Sequence, residues 1–153
     1  MKKNILVFIT VLILTSVTAF AQGEKKPRLD GLYFAKTGVI KIPNNNMDIF
    51  TYIRFYEDGT VYTQTVNAFA PEEVSKWFGK NGRFERKGTY KINDANITFI
   101  VTNDKSEDKR LEGAKIDKYS GKILDNNKLL FEVTFNDGTV KEISYEFTPT
   151  NNK

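Results

Sequence analysis

The chain has 153 residues and contains neither cysteine nor histidine. Disulfide bonds, histidine-dependent catalytic triads, and zinc or haem sites with histidine or cysteine ligands are therefore excluded. Without Lys2 and Lys3, which belong to an N-terminal segment with a distinct pattern, the chain has 21 basic and 19 acidic residues. This balance, with charges that alternate in sign along the chain, argues against a nucleic-acid partner.

The N-terminal segment has the layout of a secretory signal peptide, which we assign to residues 1–21. Two lysines precede an apolar run at residues 5–17, and Ala19-Phe20-Ala21 supplies the small residues of a cleavage site. The run is short for a membrane span, so a retained anchor is the weaker alternative. We expect a periplasmic or secreted protein with no stable membrane span after cleavage, in which residues 22–28 form a flexible N-terminal segment.

Aromatic residues recur with period two between turn residues along residues 29–148, which predicts β-strands in one domain. We expect eight strands, at about 30–36, 48–56, 60–67, 84–92, 96–101, 112–119, 127–135 and 139–147. Tight turns between consecutive strands favour an all-β, eight-stranded antiparallel up-and-down meander barrel. Residues 149–153 are predicted to form a disordered tail.

The tetrapeptide Asp-Gly-Thr-Val occurs twice, at residues 58–61 and 137–140, and each copy follows an alternating apolar run. A three-residue hairpin loop with its glycine in the left-handed conformation aligns the apolar residues on both sides, whereas a two-residue loop does not. The expected opposite pairs are Phe55 with Val61 and Phe131 with Ile143. Gly59 and Gly138 are therefore interpreted as requirements of the backbone.

One segment, near residues 71–78, predicts a short helix instead of a strand. Pro71 suits a first helical position, two glutamates follow it, and Val74, Trp77 and Phe78 stand at helical spacing. We expect the apolar face of this helix to cover one end of the barrel and to bury Trp77.

Several stretches carry a resemblance to a known group: Gly31-Leu32-Tyr33, RFYEDGTVY at 54–62, GTYKINDANITF at 88–99, YSGKILDNNKLLFEV at 119–133 and SYEF at 144–147. With these stretches the chain resembles the small lipocalin-like (calycin-type) secreted proteins common in Bacteroidetes, many of them uncharacterised. Gly31-Leu32-Tyr33 stands where lipocalins have Gly-x-Trp. The resemblance implies a barrel with one open mouth that holds an apolar small molecule.

Our first hypothesis is an exported barrel that binds a small apolar or amphipathic ligand. Phe55 and Val61 are placed inside, on a face that also carries hydroxyls from Thr51, Thr63 and Thr65. The expected ligand-binding residues are Ile53, Phe55, Val61, Trp77, Phe78, Tyr90, Phe99, Phe131 and Tyr145. Trp77 and Phe78 would form a hydrophobic lid over the mouth, and a filled core is the alternative interpretation of the interior positions.

The opposite face of the same hairpin is also aromatic, with Phe50, Tyr52, Tyr56 and Tyr62 around Arg54. If this face points outward, a second hypothesis applies, namely a filled β-barrel that acts as a protein–protein interaction or inhibitor module in the cell envelope. A third reading is a hydrolase or isomerase, but no spacing singles out a catalytic pair. We therefore expect no enzyme activity, no catalytic residues, no metal and no cofactor.

Overall fold

The computed structural model describes residues 25–43, 45–67, 69–78, 86–102 and 116–150. The elements are β1 (Gly31–Ile42), β2 (Asn45–Phe55), β3 (Thr60–Val66), α1 (Pro71–Ser75), β4 (Arg86–Asn93), β5 (Asn96–Thr102), β6 (Ile116–Asp125), β7 (Lys128–Thr134) and β8 (Val140–Pro149). Each strand pairs antiparallel with the next along the chain, and β1 also pairs with β8, which closes the sheet. The predicted eight-stranded up-and-down barrel with one short helix is confirmed.

Both Asp-Gly hairpins adopt the predicted three-residue loop. Gly59 and Gly138 have φ angles of 81° and 82°, in the left-handed region that glycine adopts without strain. Phe55 lies opposite Val61, and the corresponding register holds in the second hairpin. Asp58 Oδ1 accepts a hydrogen bond of 2.8 Å from the backbone N–H two residues later, and Asp137 does the same. Turn chemistry encoded in three or four residues therefore sets the register of two strand pairs.

Strand β6 begins later than predicted, at Ile116 instead of residue 112, and runs through Gly121. Gly121 is not at a bulge, because the only register shift between β6 and β7 lies between Ile123 and Asp125. A Cβ atom on Gly121 would clash first with the backbone carbonyl oxygen of Leu130, and it would lie 2.6 Å from a ring carbon of Phe131, directly across the ladder. The glycine therefore permits a close approach of the β7 backbone and of an aromatic ring inside the barrel.

The β1–β2 hairpin is longer than predicted, since its pairing continues to Ile42 and Asn45. An extra residue at Thr37 forms a bulge, after which Gly38 lies opposite Ile49 and the pairing is regular again. The hairpin therefore reaches past the rest of the barrel.

Alternate residues of all eight strands point into the barrel and form one apolar core. Its aromatic rings contact one another across the interior, with centroid separations of 5.8 Å for Phe55–Phe99, 5.3 Å for Phe99–Phe131 and 5.9 Å for Phe131–Tyr145. Phe99 also stacks on Tyr119 at 4.4 Å. The predicted inside position of Phe55 and Val61 is confirmed, and these rings pack the middle of the barrel.

A second, smaller cluster lies on the outer face of β1–β3, where Val74 and Phe78 pack on Leu32 and Tyr52. The helix lies on this outer wall and not over a barrel end, so the predicted placement is wrong. The prediction that it buries Trp77 is also wrong, because the Trp77 side chain is 44% exposed. The helix ends at Ser75, and in the turn that follows it is Phe78, not Trp77, that packs on the wall beside Val74.

The two ends of the barrel differ in their connections. The turns after β2, β4 and β6 lie at one end, here the hairpin end, together with both chain termini of the described part. The chain segment before β1 packs there: Arg28 N–H donates to the Tyr33 hydroxyl at 2.8 Å, which donates to the Asn126 carbonyl at 3.0 Å. The connections after β1, β3, β5 and β7 lie at the opposite, loop end.

Residues 1–24 and 151–153 lie outside the described residues, so the predicted signal peptide and most of the predicted tail are not addressed by the structure. Strand β8 reaches Pro149, one residue beyond the predicted barrel boundary. Over the described ranges, no helix has the length and hydropathy needed to cross a bilayer.

Candidate functional site

Polar side chains collect on the inner face of the barrel at its loop end, where the core is no longer purely apolar. We call this set the polar rim; its members are Thr37, Thr51, Thr63, Thr65, Arg86 and Asp117. Strands β1 to β4 and β6 supply these side chains, at every second position, in line with the core-facing residues of the same strands. The polar rim therefore lies at one end of the aromatic interior, the loop end.

Three threonine hydroxyls form a continuous row across neighbouring strands. The Oγ1 atoms of Thr37 and Thr51 are 3.0 Å apart, and those of Thr51 and Thr65 are also 3.0 Å apart. Thr51 is buried in the middle of the row, whereas Thr65 is exposed to solvent. Since hydroxyls both donate and accept, the row can present either a donor or an acceptor to a molecule at the loop end.

An ion pair faces this region from the other strands. Arg86 Nη1 donates to Asp117 Oδ2, and the backbone N–H of Asn136 donates to Asp117 Oδ1 at 3.2 Å. The Asp117 side chain is 6% exposed and that of Arg86 is 24% exposed. Because both carboxylate oxygens accept a hydrogen bond, the buried charge is compensated, and the pair joins β4, β6 and the β7–β8 turn.

Two tyrosines lie directly beneath the ion pair in the core. Tyr119 and Tyr145 are almost fully buried, and their hydroxyls hydrogen-bond to each other. Burial is the main reason that the pKa of each hydroxyl is raised, and the charge of Asp117 adds to the effect. Both hydroxyls are therefore neutral at physiological pH and serve as hydrogen-bonding groups.

The predicted ligand-binding residues separate into three groups. Six are inside the barrel as core residues: Ile53, Phe55, Val61, Phe99, Phe131 and Tyr145. Tyr90 is half-buried at the hairpin end, where its hydroxyl donates to the Tyr56 carbonyl at 2.9 Å. Trp77 and Phe78 lie outside the barrel wall, away from either opening, so the structure does not bring them together with the others.

Three of these predicted residues border the polar rim. Ile53 lies opposite Thr63, and Val61 precedes Thr63 by two positions on the inner face of β3. Tyr145 reaches the rim through its partner hydroxyl on Tyr119.

Sequence reasoning missed Arg86 and Asp117 as a pair, because they are 31 residues apart in the chain and meet only when β4 and β6 flank β5 in the sheet. One signal in the sequence could have indicated the pair. Asp117 stands two positions before Tyr119 in a predicted strand, so both side chains point to the same face, and a carboxylate on the inner face needs a partner.

The outer face of β1–β3 carries a second group of aromatic rings. Phe69 lies over it, with ring centroids 5.0 Å from Phe34 and 5.5 Å from Phe50, and 57% of its side chain is exposed. We call Phe34, Phe50 and Phe69 the outer aromatic patch. Arg54 lies on the same face, with its guanidinium 5.3 Å from the centre of the Tyr56 ring. The face of β2 that carries Tyr52 and Arg54 therefore points outward, in agreement with the predicted inside position of Phe55, and is partly covered by α1.

A surface groove of about 850 Å³ lies at the hairpin end, between the segment before β1 and the β6–β7 turn. Arg28, Asn127 and Phe147 line it, with the Arg28 guanidinium 4.0 Å from the centre of the Phe147 ring and bonded to Asp30. None of the predicted ligand-binding residues lines this groove.

The fold places the protein in the class of closed, eight-stranded, antiparallel up-and-down β-barrels. Comparison with protein-family models, with curated proteins and with solved structures gives no match. Functional proposals therefore depend on the chemistry of the described residues.

Proposed function

We propose that the protein binds a small amphipathic ligand at the loop end of the barrel, over the polar rim. The observation that carries this proposal is the row of three hydroxyls on the inner face, in which the buried Thr51 is hydrogen-bonded to the half-buried Thr37 and to the solvent-exposed Thr65. Because solvent has access to these hydroxyls on the inner face, a small molecule can also bind to them. A core whose only role is packing does not need them.

The aromatic interior limits how deeply the ligand enters. Phe55, Phe99 and Phe131 contact one another across the barrel, so the middle is occupied by side chains. The ligand therefore lies above these rings, with its apolar part against Ile49, which is half-buried and two positions before Thr51 on the same face. Burial of apolar surface there contributes about 25 cal/mol per Å².

The charges of the rim favour an uncharged polar group on the ligand. Arg86 and Asp117 neutralise each other, and the carboxylate has no oxygen left without a hydrogen bond. A hydroxyl or carbonyl group of the ligand can form hydrogen bonds with the threonine row, so the polar groups of both molecules have partners. An anionic group would instead compete with Asp117 for Arg86. We propose binding without catalysis, since the two charged groups of the polar rim, Arg86 and Asp117, are engaged with each other.

Export is part of the proposal and depends on the signal-peptide pattern in residues 1–21. Fractionation of cells that express the full chain, followed by N-terminal sequencing, is expected to find a mature protein in the envelope or medium that begins at Gln22. An intact N-terminus on protein recovered from the cytoplasm would contradict export.

Ligand binding is tested with an uncharged fluorescent probe, such as Nile red, added to protein purified from cells that express the full chain. We expect saturable binding that a cell-envelope extract displaces. Thr51→Val removes the central hydroxyl at similar shape and should weaken binding about 5- to 10-fold, the effect of one hydrogen bond. Thr98→Val, on the exposed outer face of β5, is the matched control and should bind as the wild type does. A probe that never saturates, or equal affinity of the two variants, would refute the proposal.

A second candidate function, an interaction module, is favoured by the outer aromatic patch and by Trp77, because large exposed aromatic side chains anchor protein interfaces. Its test is capture of an envelope protein by the immobilised domain. Phe69→Ala and Trp77→Ala should abolish capture at unchanged melting temperature, and Val140→Ala, an exposed apolar residue on β8, should not. Capture that none of the three variants changes would exclude this surface.

A further inference from the structure

The barrel is closed by a short ladder that leaves much of β1 unpaired on one side. β1 pairs with β8 at only four positions, from Gly31 to Phe34, although β1 continues to Ile42. If the pairing continued in the same register, Val140, the first residue of β8, would lie opposite Ile40. The last part of β1 therefore has a strand neighbour among the described residues on the β2 side alone.

This unpaired edge is also apolar. Val39, Ile40 and Ile42 are each more than two-fifths exposed, and they account for three of the large exposed apolar side chains of the described residues. The bulge lies at Thr37, so Gly38–Ile42 remains a regular strand that contains no proline, and Pro43 follows it. Regular exposed edges of this kind are templates for pairing with a further strand.

We propose that two copies of the chain associate through this edge, with residues Gly38–Ile42 of each copy paired antiparallel about a twofold axis at Ile40. Ile40 then lies opposite Ile40 of the second copy. Ile42 lies opposite Gly38, whose missing side chain leaves room for it, and Val39 lies opposite the aliphatic stem of Lys41. The pairing joins two barrels by a continuous sheet.

Charge and shape select a second copy as the occupant. A shift of the axis by one residue, to Lys41, would set two lysines directly opposite each other, which is destabilising. With the axis at Ile40, no like charges are opposed and three apolar residues from each copy are covered. The segment thus complements itself in a twofold arrangement, as an isologous interface requires.

Oligomeric state tests the proposal directly. Light scattering and sedimentation of the purified protein, over concentrations from about 1 µM to about 1 mM, should detect a monomer–dimer equilibrium, since an interface of this size is weak. Ile40→Lys places two ammonium groups at the axis and should raise the dimer dissociation constant at least tenfold. Ile100→Lys is the matched control: Ile100 is 50% exposed, against 49% for Ile40, and it lies on the outer face of β5. A monomer throughout, or a dimer that Ile40→Lys leaves unchanged, overturns the proposal.

Cysteine trapping gives a second, independent measurement, because the chain has no cysteine of its own. Directly opposite residues of an antiparallel pair have Cα atoms about 4.5–5.5 Å apart, within the range of a disulfide. Mild oxidation should therefore cross-link Ile40→Cys into a covalent dimer, whereas Ile100→Cys should stay monomeric. Equal cross-linking of the two variants overturns the proposed register. Failure of both to cross-link overturns self-association and leaves the edge to an extended segment of another protein.

Discussion

Replacement of Phe131 by alanine is the most direct test of a packed barrel interior. Phe131 is fully buried, with ring centroids 5.3 Å from Phe99, 5.7 Å from Tyr119 and 5.9 Å from Tyr145. Burial of a phenylalanine removes about 200 Å² from water, worth about 5 kcal/mol, of which alanine retains about one fifth. We therefore expect Phe131→Ala to lower the free energy of unfolding by about 4 kcal/mol, within the range for such truncations.

Urea unfolding followed by far-UV circular dichroism measures this loss, and the melting temperature should fall by about 10–15 °C. Phe69→Ala is the matched control, because this phenylalanine is 57% exposed on the outer patch and its loss should cost less than about 1 kcal/mol. A loss below about 1 kcal/mol for Phe131→Ala, or equal losses for both variants, would mean that the interior is loosely filled, and the argument that the ligand stays above the rings would fail.

Three further measurements test the turns and the interior. Gly121→Ala puts a methyl group against the backbone carbonyl oxygen of Leu130 and 2.6 Å from a ring carbon of Phe131, so it should destabilise the protein by about 1–3 kcal/mol in urea unfolding. Gly38→Ala, whose nearest contact is at 3.8 Å, should change little. Backbone hydrogen bonds hold the pKa of Asp58 and Asp137 below 3.8, so both stabilise the fold above that pH, and the stabilisation is lost as the pH falls through the lowered values. The double Asp→Asn variant keeps an oxygen acceptor in each turn and should show a smaller loss of stability below pH 3.8; an unchanged acid profile would contradict the assignment. Burial raises the pKa of Tyr119 above 10.0, so its stabilising contribution is complete below that pH and decreases above it, and Tyr119→Phe should flatten the alkaline part of the stability profile. Tyrosinate absorbance of the folded protein at about pH 11 equal to that of the unfolded chain would contradict the burial.

Local chemistry made much of the barrel predictable from sequence. Alternation of apolar and polar residues acts over two positions, and the Asp-Gly turns act over four, so strand order and the register of Phe55 with Val61 followed without any knowledge of distant contacts. Which face of β2 points inward was a choice between two aromatic faces, and it was predicted correctly. Closure was inferred from strand number, and the β1–β8 ladder confirms it.

The sequence was less informative wherever position depends on a surface built by other strands. The spacing of Val74, Trp77 and Phe78 predicts a helix with an apolar face, but that face finds its partner on the outer wall of β1–β3. The helix then stops after five residues and leaves Trp77 in solvent. Amphipathic spacing indicates that one face of a helix packs against an apolar surface. It does not indicate whether that surface is an end of the barrel interior or the outer face of β1–β3.

By itself, the sequence determined the all-β class, the strand order and the hairpin registers, because hydrogen bonding and steric preference act between near neighbours. Only the tertiary structure decided what lies at the loop end and along the free part of β1. Arg86 reaches Asp117 across β5, and Tyr119 reaches Tyr145 across β7, because the curved sheet turns the inner faces of alternate strands toward each other. Such contacts depend on the curvature and stagger of the whole barrel, which no short stretch of sequence encodes.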